Sequence, residues 1–378
     1  MLKHLNFMLF NVVTILFCLV PLLEAKEKPL ETMNRIRSFS MQILEESLQS
    51  DNAFIRSAAA RAAGESEYSG LIPLLKKAAG DPYHTTRLFA LQGIKKISIK
   101  EARAMALSLS KDLNVWVRGA AIEMLGDLGD GDSGNFIRPH LKSPDRAVRY
   151  AAAGALFRLG DESELDVLLD GLKGGNSIDR YQAIGYLGKM DDERVVPYLK
   201  KLLSASEDEI IFYSLKAIGK KADKNILPQL LDLAEHHNPS LRYQSALILG
   251  ELSGNSGDET LYSLCSDKDS MVRLSAAIAL TRKGSNACDE VLLLAIKDQD
   301  YGIRSMTARV LGGLDFPGRE KLLAVAIVDK NIRVRTSATR ALGMMGGSKA
   351  FPLLLEKLKD SQEVVRTYAA GNIIKLMK

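Results

Sequence analysis

Five histidines and three cysteines are the side chains of this 378-residue chain best fitted to hold a metal or act as a nucleophile. The histidines are His4, His84, His140, His236 and His237; the last two fall in a turn before Asn238-Pro239, where exposed polar residues are ordinary and adjacent rings seldom complete a ligand set. Nothing matches a phosphate loop followed by Lys, a nucleophile elbow around Ser, or a zinc spacing. No catalytic residue, cofactor site or metal ligand is assigned, and the chain reads as a non-enzyme. The residue with regular spacing is arginine. Arg56, Arg87, Arg118, Arg149 and Arg180 follow at 31-residue steps, and Arg242, Arg273, Arg304, Arg335 and Arg366 continue the same register, with Ile211 in the one slot that lacks Arg. A cation repeated this way is either a basic ladder for an acidic partner or a set of structural ties. The elements that carry it decide which.

Three residues after each slot stand small side chains such as Ala59, Ala152 and Ala276, and seven after stand apolar ones such as Leu125, Leu249 and Leu342. With Val, Ile or Leu usual just before the Arg, the apolar spacing is that of a helix face. Polar residues precede each helix, either six before the slot (Asp81, Asp112, Asp267, Asp298, Asp329, Asp360) or four before (Asn52, Asn114, Asp145, Asn176, Asn238, Asp269, Asn331), and both sets are expected to cap helix starts. Gly64, Gly126, Gly188, Gly219, Gly250, Gly312 and Gly343 are expected to end the first helix in left-handed caps. A second helix follows, with Pro73, Pro197, Pro228 and Pro352 in its first turn and an apolar residue nineteen after the slot. Two short helices cannot bury their apolar faces alone, so neighbouring units must stack around a shared core.

This order of turn acid, Val-Arg, small residue and Leu-Gly resembles the HEAT-repeat family, in particular the short HEAT-like repeats of the phycobilisome-lyase type. The resemblance covers residues 50–378 and implies an all-α fold, a right-handed α-solenoid (superhelix) of about eleven 31-residue two-helix repeats, elongated and continuous. Residues 26–49 read as a linker and N-terminal capping helix. The resemblance also implies a structural role for the Arg ladder, each stem packing between layers and each guanidinium reaching turn residues. A HEAT-like scaffold also builds a di-iron hydroxylase whose metal is held by paired His-Glu steps; none of the five histidines here is followed by Glu. A lyase-like or metal-dependent enzyme, or enzyme accessory, is the alternative reading, and no motif supports it. In the repeat register Cys265 and Cys288 lie eight offsets apart on adjacent second helices, about 12 Å along the axis and about 9 Å between axes, so two free buried thiols are expected.

The position after the Arg slot holds Tyr150, Tyr181, Phe212 and Tyr243 in four consecutive units, and Trp116 lies two residues before its Arg. These five residues are the candidate partner surface, an outward aromatic stripe of the kind enriched in binding hot spots; covering neighbouring first helices is the alternative use of such rings. On the second helices Lys76, Lys77, Arg103, Arg138, Lys200 and Lys201 make the N-terminal half more basic, and Asp258, Glu259, Asp289, Glu290 and Glu320 make the C-terminal half more acidic. A net charge of +5 from 51 basic and 46 acidic residues is too mild and too mixed for a nucleic-acid binder. With 46% hydrophobic residues, the composition is globular rather than disordered.

Residues 1–25 begin with Lys3, continue through an apolar run over residues 5–23 and exit at Leu23-Glu24-Ala25. That order is a secretory signal peptide with cleavage after Ala25, which places the protein in the periplasm or outside the cell. An uncleaved membrane anchor over residues 5–23 is the alternative. The chain is thus expected to be an exported monomer that binds protein partners, with no nucleic acid and no cofactor, and with membrane contact only if its leader is retained.

Overall fold

The computed structural model describes residues 29–129, 132–173, 176–190, 192–222 and 224–378. The 1–25 leader lies outside them; among the described residues no helix is long and apolar enough to cross a membrane.

The first described helix is α1 (Pro29–Leu48), and pairs of helices follow. The pairs run α2 (Ala53–Ser66) with α3 (Ile72–Ala78), α4 (His84–Ile97) with α5 (Ile99–Leu109), and α6 (Val115–Leu128) with α7 (Ser133–Ile137). Next come α8 (Arg146–Arg158) with α9 (Leu165–Leu172), α10 (Ser177–Lys189) with α11 (Val196–Lys201), and α12 (Asp208–Ile218) with α13 (Leu227–Ala234). Then follow α14 (Pro239–Leu249) with α15 (Asp258–Leu264), α16 (Ser270–Arg282) with α17 (Asp289–Ala295), and α18 (Tyr301–Leu311) with α19 (Arg319–Ala326). The chain ends with α20 (Ile332–Met345), α21 (Ala350–Lys357) and the unpaired first helix α22 (Glu363–Leu376). No strand occurs among the described residues, and the fold is an all-α solenoid of two-helix repeats.

The two sets of turn residues have separate jobs. Asn52, Asn114, Asn176, Asn238, Asp269, Asp300 and Asn331 are the N-caps, each side chain accepting a backbone N–H of the first turn. Asp81, Asp112, Asp267, Asp298, Asp329 and Asp360 do not cap helices as expected; each sits two residues earlier and accepts the backbone N–H of the cap position at 2.7–3.0 Å. Asp145 stands at a cap position, but its carboxylate receives Arg118 at 2.5 Å.

The glycines also differ from expectation. Of the seven, only Gly219 has a positive φ, +43°. The rest permit close helix approach: a Cβ on Gly126 would lie 2.6 Å from Ala155 Cβ, and one on Gly188 would lie 2.7 Å from Ala217 Cβ. Backbone contact between successive first helices leaves no room for a methyl group, a stronger demand than the helix end makes.

Helix contacts divide the chain into two compact units, one of Ala102–Lys297 and the other of the residues up to Glu101 together with Asp298–Lys378. The second of these is discontinuous in sequence. An elongated array would leave α22 bare on one side, but here α22 packs on both α1 and α2. A Cβ on Gly371 would meet Ala62 O at 2.7 Å. Arg37 donates to Met377 O at 2.6 Å, Ser47 and Thr367 share a buried hydroxyl bond of 2.8 Å, and Arg340 pairs with Glu65 at 2.5 Å. Burial opposes the charge on Glu65, yet the hydrogen bond and charge of Arg340 outweigh it and hold the carboxyl below its usual range.

Candidate functional site

The Arg slots tie turns to one another. Arg242 Nη1 donates to the carbonyls of His236 and His237 at 2.8 and 3.0 Å, and Arg304, Arg335, Arg273, Arg149, Arg118, Arg87, Arg56 and Arg366 grip the same two carbonyls of their own turns. The other edge of the fork reaches the next unit. Arg56–Asp81, Arg242–Asp267, Arg304–Asp329 and Arg335–Asp360 are bidentate pairs with N···O distances of 2.7–3.1 Å, while Arg180 reaches Glu207 at 3.1 Å. Arg242 and Arg304 are nearly buried, which removes their guanidinium groups from any partner. Hydrogen bonds from Arg242 and Arg304 outweigh burial and hold the carboxyls of Asp267 and Asp329 below the usual range. At Asp81 and Asp360 burial is the larger single influence, and the combined hydrogen bonds and charge still win.

The candidate aromatic stripe separates into different environments. Tyr150 is only 5% exposed and does not belong to an outward surface; a Cβ on Gly171 would lie 2.6 Å from its hydroxyl, so the ring tucks over the second helix of its own unit. Tyr181, Phe212 and Tyr243 are half-buried. Tyr181 stacks at 4.8 Å on Tyr213, which also meets Phe212 edge-on at 5.7 Å. Trp116, 55% exposed in the first turn of α6, is the outward member, beside Leu113 at 97%. Phe54 and Ile178 hold the same repeat position as Trp116 and are also solvent-facing. That offset, two before the Arg, was legible in the sequence and its recurrence was missed.

The second helices expose further apolar side chains, among them Phe136, Tyr198, Tyr262 and Leu294. Among their charges, Lys76 pairs with Glu101, Arg138 with Asp161, Asp258 with Lys283 and Glu320 with Lys349. The N-to-C charge gradient is correspondingly weakened. Lys76, late in α3, reaches Glu101 in the first turn of α5, so these two second helices meet end to start rather than level. A like meeting overturns the expectation of free thiols. Cys265, at the end of α15, and Cys288, just before α17, are joined in a disulfide across a Cα–Cα distance of 6.3 Å. The parallel, level arrangement assumed for the two helices was the error.

His236 and His237 also acquire a neighbour from about one repeat earlier. Asp208, the first residue of α12, places its carboxylate oxygens 3.9 Å from His236 Nε2 and 3.7 Å from His237 Nε2.

A family model described as HEAT repeats matches residues 103–184, 135–214, 210–281 and 289–373. No curated protein sequence matches the chain. Among solved structures, the chain is similar to human deoxyhypusine hydroxylase at 18% identity, over 75% of this chain and 98% of that one, with a TM-score of 0.33. It is similar to the Escherichia coli protein YibA at 17% identity, over 69% and 99% of the two chains, with a TM-score of 0.35. It is also similar to the complex of CpcE and CpcF of phycocyanin lyase from Nostoc at 17% identity, over 71% and 92%, with a TM-score of 0.34.

Proposed function

Since the chain belongs to the HEAT-repeat family, we propose that it is a non-enzymatic protein–protein interaction scaffold, exported from the cytoplasm and monomeric. The observation that carries this reading is the exposed apolar pair Leu113 and Trp116 at the start of α6. A folded protein gains nothing by holding an indole and a leucine in water, whereas both are suited to fill a partner's pocket and exclude solvent there. The Arg slots are committed to turns, so affinity rests on apolar contact rather than on a basic ladder. Export is supported by the leader and by the Cys265–Cys288 bond, since disulfides persist in oxidising compartments.

Crosslinking and affinity capture from the native envelope fraction test the proposal. The expected result is a defined protein partner captured by the native chain and lost with Trp116→Ala and Leu113→Ser, both of which leave melting unchanged. A bound chromophore with catalytic turnover, or capture indifferent to both substitutions, would overturn it.

A further inference from the structure

Four other units join an Arg slot to an Asp twenty-five residues later in a bidentate pair. At one rung both partners are replaced: Ile211 occupies the Arg slot and His236 occupies the Asp position. His236 keeps half of the aspartate's work, accepting the Asn238 N–H through Nδ1 at 3.2 Å. Its Nε2 is turned toward Asp208, and His237 approaches the other oxygen of the same carboxylate, with the rings 4.2 Å apart. One donor atom from each of the three residues falls within 4.8 Å of the others.

We propose that Asp208, His236 and His237 form a binding site for one divalent cation of the zinc class. Two imidazole nitrogens and a carboxylate oxygen are a borderline donor set that suits zinc better than magnesium or calcium. Bonds of about 2.0–2.1 Å in a tetrahedron put ligand atoms about 3.3–3.5 Å apart; the two imidazoles lie 3.9 and 3.7 Å from different oxygens of the one carboxylate and one donor from each residue falls within 4.8 Å of the others, so the side chains draw together by up to about 1.5 Å. Water takes the remaining position. The surroundings help: the Asn238 amide donates to Asp208 Oδ2 at 2.7 Å and orients the carboxylate, while Arg242 holds the carbonyls of both histidines. The charge of Arg242 is itself met by Asp267, and Glu207 and Glu209 flank Asp208. Coordination through His236 Nε2 moves that ring's proton to Nδ1 and ends the bond from Asn238 N–H just before α14.

The test is calorimetric titration of the tag-free, chelator-treated full chain with zinc, with magnesium as the control. One equivalent of zinc is expected to bind. His237→Ala, at an exposed position, and His236→Asn, which keeps an acceptor for Asn238 N–H, should each weaken binding by at least about tenfold. His84→Ala should leave it unchanged. Absence of zinc binding, equal binding of magnesium, or unaltered affinity in both variants at residues 236 and 237 would overturn the proposal.

Discussion

Replacing Arg304 by Ala strands the Asp329 carboxylate against the turn it was holding, with both partners nearly buried. Breaking one side of such a pair costs about 3 kcal/mol, more than the pair as a whole is worth against apolar substitutes. Arg304→Ala should therefore lower the urea midpoint substantially, and Arg304→Ala/Asp329→Ala should cost less than the sum of the single substitutions, which a double-mutant cycle measures. The sign of the pH dependence follows from the lowered carboxyl of Asp329. Unfolded aspartate titrates near 3.9, so the pair's full contribution is present above about pH 4 and is lost as the pH falls through the lower folded value. The stability gap between the native chain and Arg304→Ala should accordingly narrow below about pH 4. Asp329 shows what a repeat leaves ambiguous at this scale: two polar residues two apart both suit a helix start, and only the backbone distinguishes the cap from the acid that pins the turn. The Asp208–His236–His237 cluster, by contrast, was within reach of the repeat register. Asp208 precedes His236 by 28 residues, close to one repeat, so offset arithmetic would have placed them side by side in adjacent turns.

Between elements, the close approach of successive first helices reverses an ordinary expectation. Gly→Ala inside a helix usually stabilises by about 1 kcal/mol. Gly126→Ala puts a methyl 2.6 Å from Ala155 Cβ and should instead destabilise by about 1–3 kcal/mol, measurable in thermal or urea unfolding. The disulfide between the ends of α15 and α17 closes a sequence separation of 23 residues, and Cys265→Ser/Cys288→Ser should cost about 3 kcal/mol, with no further loss on adding reductant. The helix pairs, and the Asn caps four residues before the slot, were legible because a period of 31 residues repeats without a slip; the Asp residues two earlier and the glycines were assigned to caps they do not make. The end-to-start meeting of Cys265 and Cys288 was not legible, since a period states which residues are equivalent and nothing of how far one helix is shifted past its equivalent. Tyr150 was misread for a similar reason: a helical wheel places it off the core centre, but Gly171 opens a slot on the second helix that admits its ring.

For the whole molecule, the joining of α22 to α1 and α2 is the feature that the repeat pattern does not express. A period specifies neighbours n and n+1, and it is silent about the last helix meeting the first. Gly371→Val drives side-chain atoms into Ala62 and should loosen that junction. Hydrogen exchange should then show faster amide exchange in α1 and α2, more than 300 residues away in sequence, with α8 and α16 unaffected. Uniform protection in α1 and α2 would show that the junction contributes little to either helix.

That junction also orders events during synthesis. The unit of Ala102–Lys297 has all its residues in hand once residue 297 has been made, and it can fold as the chain emerges. The other unit cannot: α1 and α2 are made early, yet α22, on which both pack, is made more than 300 residues later. α1 and α2 therefore wait with apolar surface uncovered until α22 has emerged, the interval in which a chaperone has most to protect.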